Sequence, residues 1–139
     1  MILNTIKIKN FRQYQQEEIE IAGSKDEKNF TIIQGMNGAG KSNFLNAMTW
    51  CLYGEEHHKV AKYEGLPLLN TVTHNDLEVG EICEVKVEMK MCDNENLMFF
   101  SRKIEFKKLK NGDVKVLRYP ESGDDGSIFE ICKLNGDDW

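Results

Sequence analysis

Residues 35–42 read Gly-Met-Asn-Gly-Ala-Gly-Lys-Ser, which fits GxxxxGK[ST] at every fixed position. Glycines at this spacing let the backbone curl so that successive N–H groups point into one concavity and cradle phosphate oxygens. A helix opening near Gly40 would aim the positive end of its dipole at the same point. In such a loop the lysine, Lys41, reaches the β- and γ-phosphates, and the Ser42 hydroxyl ligates magnesium. With glycine near 7% of residues, a chance match occurs at roughly one position in tens of thousands. The expected chemistry is recognition of a nucleoside triphosphate.

The flanking segments are the ones such a loop requires. Phe30-Thr31-Ile32-Ile33 is an almost unbroken apolar run, the pattern of a strand buried on both faces. From Lys41 to Tyr53, Phe44, Leu45, Met48, Cys51 and Leu52 recur at helical spacing, and Gly54 is placed to end the helix. Packing on that helix accounts for Trp50 and Tyr53 without a ligand. Upstream, Ile6 and Ile8 alternate with Lys7 and Lys9 in a strand from Ile2 to Lys9. The polar stretch NFRQYQQ leads to a second strand at Glu18–Ile21, forming an antiparallel pair, and Gly23–Asn29 is a charged loop. Glu55–Val79 reads as a loop with short turns. Alternation returns with Val85, Val87, Met89 and Met91 opposite Glu84, Lys86, Glu88 and Lys90. Leu97–Phe106 follows as a strand, and Asn111-Gly112-Asp113 turns the chain into Val114–Leu117. Ile128–Leu134 is the last expected strand.

Bulk composition sets the remaining bounds. A chain of 139 residues with 40% hydrophobic and 29% charged residues is the size and make-up of one globular domain. It has no apolar run long enough for a bilayer, and its opening residues lack the features of a signal peptide, so the cytoplasm is the expected address. Cys51, Cys83, Cys92 and Cys132 show no paired spacing and read as reduced, mostly buried thiols; His57, His58 and His74 form no recognisable metal pattern. The net charge of −5 argues against a general nucleic-acid coat. Between Phe100 and Pro120, however, seven basic residues (Arg102, Lys103, Lys107, Lys108, Lys110, Lys115, Arg118) face only Glu105 and Asp113. The stretch reads as the solvated face of a ribbon, with contact to DNA phosphates as the alternative.

A phosphate loop alone does not choose among kinases, GTPases and motor ATPases. Its flanks do: the opening strand Leu3–Ile8, then Lys9-Asn10-Phe11-Arg12, then Ile33-Gln34 into the loop, then Asn43 and the helix Phe44–Gly54. In these features the chain resembles the N-terminal half of an ABC-type ATPase head, as in SMC, SbcC, RecF and DndD proteins. The match is specific over residues 1–54 and loose from Glu81 to about Leu117. The resemblance implies a P-loop α/β fold in which a mixed sheet holds the loop and joins an antiparallel β-subdomain at about 81–134. It implies that residues 1–139 form one partial head that binds ATP and Mg²⁺. Asn37, Gly38, Ala39, Gly40, Lys41, Ser42 and Asn43 would hold the phosphates, with Lys41 also serving catalysis. Arg12 becomes a further candidate nucleotide contact, and Phe11 a core residue.

In that family a glutamine loop, an acidic strand ending in a catalytic glutamate, and a Ser-Gly-Gly signature complete the site. None is found here, and Ser122-Gly123-Asp124 does not fit the signature. The expectation is therefore an N-terminal lobe that binds nucleotide better than it hydrolyses it and exposes apolar surface. Its implied partners are a C-terminal lobe, a second head, DNA reached through the whole complex, and a nuclease or other repair or modification subunit. The alternatives are a self-contained small P-loop kinase or GTPase, and an interaction module that ATP controls.

Overall fold

In the computed structural model, residues 1–21, 30–57, 67–93 and 96–134 are described. The expected charged loop at 23–29 and His58 lie outside them. Six strands, β1 (Ile2–Phe11), β2 (Tyr14–Glu20), β3 (Ile82–Asp93), β4 (Asn96–Lys108), β5 (Val114–Leu117) and β6 (Ile128–Leu134), form one sheet. Two helices accompany it, α1 (Lys41–Tyr53) and α2 (Thr71–Asp76).

The sheet order is β2-β1-β3-β4, with β5 and β6 both on the free edge of β4, and every pairing is antiparallel. β5 takes the end of β4 near Lys108 and β6 the end near Leu97. Between them residues 118–127 leave the edge and return.

Register turns the alternation of each strand into one apolar face. Ile6 pairs with Met89, which pairs with Phe100; Ile8 pairs with Val87, and Val85 with Ile104. α1 lies on this face and buries Phe44, Ala47, Trp50 and Cys51 against it, with Phe11 and Trp50 in ring contact at 5.6 Å. Each large side chain so buried contributes about 1.5–3 kcal/mol. Phe11 is therefore core, as expected. The opposite face carries ion pairs instead: Lys7–Glu18 at 3.8 Å, Lys9–Glu84 at 3.0 Å and Lys86–Glu88 at 2.6 Å. At such exposure each is worth at most about 1 kcal/mol.

Arg102 of β4 places a cation on the apolar face, between Phe100 and Ile104. Arg102 donates from Nε to the Cys51 carbonyl at 3.0 Å and from Nη1 to the Ser127 hydroxyl at 2.8 Å, with its guanidinium 4.8 Å from the Phe129 ring centroid. The last carbonyls of a helix have no intrahelical partner and attract positive charge. α1 has no basic residue in its own last turn, so a strand supplies one. Lys108 likewise donates to the His74 carbonyl of α2, and Arg118 to the Asp124 carbonyl, both at 2.8 Å. The basic stretch is thus partly an internal fastening rather than a uniformly solvated face.

Several expectations are corrected. Phe30–Ile33 is not a buried strand: it joins no sheet among the described residues, and Phe30, Ile32 and Ile33 are 78%, 68% and 45% exposed. Nor do the described residues form the partly parallel sheet expected around the loop. A parallel pair needs a crossover back to the same side, and the first strand after α1, β3, pairs antiparallel with β1 instead. α1 is apolar on two sides, not one: Leu45 and Tyr53 are exposed, so packing among the described residues does not account for Tyr53. Of the cysteines only Cys51 is fully buried, Cys132 is exposed, and all four are free. Part of the expected loop at 55–79 is helix α2.

Candidate phosphate-binding site

The loop Gly35–Ser42 runs straight into α1. Gly38 and Gly40 have φ of +83° and +99°, a left-handed conformation that only glycine adopts without strain. The Ala39 N–H closes a turn onto the Met36 carbonyl at 3.0 Å, and the Phe44 N–H takes the Gly40 carbonyl at 2.9 Å. The N–H groups of Lys41, Ser42 and Asn43 open the helix, where the intrahelical ladder leaves them without carbonyl partners. α1 has no acidic residue in its first turn, so nothing there opposes an anion. Lys41 curls its ammonium back over the loop, donating to the Met36 carbonyl at 2.9 Å and more closely to that of Gly35. Ser42 is exposed beside it. N–H groups at a helix opening, an ammonium and a hydroxyl are the donor types that a polyphosphate site uses, and a polyphosphate is the ligand that the sequence motif implies.

The loop is also held from outside, by residues that sequence reasoning passed over. The turn between β1 and β2 packs on Gly40 so closely that a Cβ there would collide with Gln13 Nε2 and lie 3.0 Å from Tyr14 Oη. Tyr14 donates its hydroxyl to the Gly40 carbonyl at 3.0 Å, and Gln13 reaches the Gly38 carbonyl at 3.5 Å. Asn43 Nδ2 donates to Gln13 Oε1. In a trans peptide the carbonyl and the following N–H point in opposite directions. Fixing the Gly40 carbonyl toward Tyr14 therefore turns the Lys41 N–H the other way. Burial, then the charge of Glu17, pushes the Tyr14 phenol pKa up, so Tyr14 remains a donor.

Arg12 lies next to these two residues but is engaged elsewhere. Its Nε and Nη2 bind the two carboxylate oxygens of Glu56 at 3.0 and 2.5 Å, and Nη1 donates to the Pro67 carbonyl at 3.0 Å. The ion pair is largely buried, with side chains 7% and 14% exposed. Arg12 itself has φ of +54°, a conformation costly for a side chain of this size. It is held by its N–H on the Leu68 carbonyl at 2.8 Å and by Asn70 Nδ2 on its carbonyl at 2.7 Å. Asn70, buried, also caps α2 through the Thr73 N–H at 3.1 Å. Glu56 is set in turn by Asn46, whose Oδ1 takes the His57 N–H at 3.0 Å. The only sequence signal for these partners was the polar run NFRQYQQ itself, since Glu56 and Asn70 reach the turn across 44 and 58 residues.

A glycine loop that feeds a helix N-terminus, with lysine and serine at its end, defines the P-loop class of nucleotide-binding domains. The chain belongs to the AAA domain family, whose model matches residues 5–136. Parts of it are similar to the DNA replication and repair protein RecF of Acetivibrio thermocellus, 39% identical over 57 residues, or 41% of this chain and 14% of that protein. Exonuclease subunit 2 of Enterobacteria phage T4 is 38% identical over 77 residues, 55% of this chain and 13% of that protein. Chromosome partition protein Smc of Synechocystis sp. is 38% identical over 68 residues, 49% of this chain and 6% of that protein. The similarity to the RecF, SbcC and SMC group read from residues 1–54 is thus borne out, and the chain spans a small part of each relative's length. None of the described helices is long and apolar enough to cross a membrane.

Proposed function

We propose that this chain binds ATP with Mg²⁺ through Gly35–Ser42, as the N-terminal lobe of an ATPase head of the RecF, SbcC and SMC kind. The carrying observation is the loop: left-handed Gly38 and Gly40, the opening of α1, and Lys41 folded over the concavity. Asn37 to Asn43 would surround the phosphates, Ser42 would ligate the metal, and the bound metal would neutralise charge on the β- and γ-phosphates.

The exposed run Phe30–Ile33, the exposed Met36 and the outer face of α1 with Leu45 and Tyr53 support an incomplete head. Apolar segments adjoining a site are normally covered, and a C-terminal lobe that adds strands beside Phe30–Ile33 would cover these. In the complete assembly we place two heads closing on ATP, a cytoplasmic setting, and coupling to DNA repair, modification or defence with a nuclease or similar subunit. The names of the relatives, a DNA replication and repair protein, an exonuclease subunit and a chromosome partition protein, support the DNA-repair and nuclease part of that setting. With no glutamine loop, catalytic glutamate or Ser-Gly-Gly signature in its sequence, the lobe alone should hydrolyse ATP slowly or not at all.

Equilibrium binding of ATP with and without Mg²⁺, to wild type and Lys41→Ala, tests this. Removing one charged contact to phosphate should weaken binding by about 10- to 100-fold, with negligible turnover in either sample. Equal affinity in both would refute the loop as the site. Rapid turnover by the chain alone would replace the lobe by a self-contained enzyme.

A further inference from the structure

We infer that the β1–β2 turn is a clamp on the phosphate loop, in which Gln13 and Tyr14 set the loop's peptide planes and Arg12 acts through Glu56 as a positioning residue, not as a phosphate ligand. The inference rests on the nucleotide reading above for its consequence on affinity, but not for the clamp itself.

The contacts close a ring. The loop leads into α1, and α1 carries Asn46, whose side chain fixes the His57 N–H. The adjoining Glu56 grips both Nε and Nη2 of Arg12 in a buried, two-point ion pair. Arg12 holds the turn in a left-handed conformation that would otherwise relax, and the turn returns Gln13 and Tyr14 to the carbonyls of Gly38 and Gly40. Asn43, in the first turn of α1, closes the circuit on Gln13.

A two-point pair between a guanidinium and a carboxylate fixes direction as well as distance. A single hydrogen bond to Gln13 would leave a glycine-rich loop free to swing; the ring removes that freedom before a ligand arrives. Pre-set donors bind more tightly because less order is lost on association. A guanidinium bound on both Nε and Nη2 to a shielded carboxylate is, by the same geometry, committed to the turn.

The test uses the 139-residue chain and the variants Gln13→Ala, Tyr14→Phe, Arg12→Gln, Glu56→Gln and the Arg12→Gln/Glu56→Gln pair. Backbone ¹⁵N relaxation without nucleotide should give order parameters near ~0.85 at Gly38 and Gly40 in wild type, falling below ~0.6 in the variants. Gln13 is exposed and Tyr14→Phe removes only a hydroxyl, so these two keep the test open if the ion-pair variants fold poorly. ATP affinity should fall about 3- to 10-fold in each single variant. The Arg12/Glu56 double variant should be no weaker than either single one, because both break the same link.

If Glu56→Gln tightens ATP binding while Arg12→Gln weakens it, Arg12 is a ligand that Glu56 withholds, and the inference fails. Variants that melt earlier with unchanged order parameters and affinity would also overturn it. Should wild type and Lys41→Ala alike fail to bind ATP, the nucleotide reading falls, and the order parameters still decide the clamp.

Discussion

Replacing Arg102 by alanine should destabilise the fold far more than a surface cation would. The side chain loses a charged hydrogen bond to the Cys51 carbonyl at 3.0 Å, another to Ser127 Oγ at 2.8 Å, and the Phe129 ring at 4.8 Å. Charged hydrogen bonds contribute about 1.5–3 kcal/mol each, and a part-exposed site argues for the low end. Two bonds at about 1.5 kcal/mol with about 0.5 kcal/mol for the ring give a loss of about 3.5 kcal/mol. Arg102→Lys keeps the charge but not the fork that serves both acceptors, and should lose about half as much. Urea unfolding followed by circular dichroism should show a lower midpoint at unchanged slope, and Tm should drop by about 10 °C. An Arg102→Ala variant within about 0.5 kcal/mol of wild type would refute the reasoning. If that variant also lost DNA binding with a salt slope reduced by about one, the residue would belong to the nucleic-acid reading of the basic stretch.

Other outcomes follow from the same contacts. Gly40→Ala meets both a left-handed φ and the Gln13 side chain; a stability loss of about 1–2 kcal/mol, with ATP affinity falling by a larger factor, is expected in paired melting and binding assays. Asn70→Ala removes the α2 cap and the bond to the Arg12 carbonyl, and should cost about 2 kcal/mol in urea unfolding. Burial pushes the Cys51 thiol pKa up to about 12, so alkylation at neutral pH, read by peptide mass, should label exposed Cys132 and spare Cys51 until the protein unfolds. Because the unfolded thiol ionises first, this group's stabilisation is complete below its ordinary pKa and is lost as pH rises toward about 12. Cys51→Ala should flatten that alkaline decline.

How much of this was legible in the sequence depended on whether the cause was local. The alternation of β3, the α1 span ending at a left-handed Gly54, and the loop motif are local patterns, and all three appear where the residues placed them. α2 has no apolar periodicity in Thr-Val-Thr-His-Asn-Asp; its start is set by the buried side chain of Asn70, which pattern reading does not weigh. The run Phe30–Ile33 was read as buried because a short, nearly continuous apolar run suits a strand covered on both faces. What covers them does not lie in the described residues, so hydrophobicity was legible and its partner was not. The parts played by Gln13, Tyr14 and Glu56 depend on contacts across tens of residues, and no short window contains both ends. Arg102 broke an otherwise apolar alternation in β4, which was the available hint that a strand cation had a buried task.

The position of β1 between β2 and β3 bears on how the chain is made. Lys9 of β1 reaches its β3 neighbour Glu84 across 75 residues. At about 5–20 residues per second of synthesis, β1 waits roughly 4–15 s for that neighbour to emerge. In that interval β2 is its nearest available strand, and the Ile6–Ile8 face meets α1 before it meets β3. A nascent chain in this state presents an open β1 edge, and an isoleucine face covered by α1 alone, to whatever surrounds the ribosome. Slowing translation between α1 and β3 would lengthen this window, and chaperone demand should rise with it.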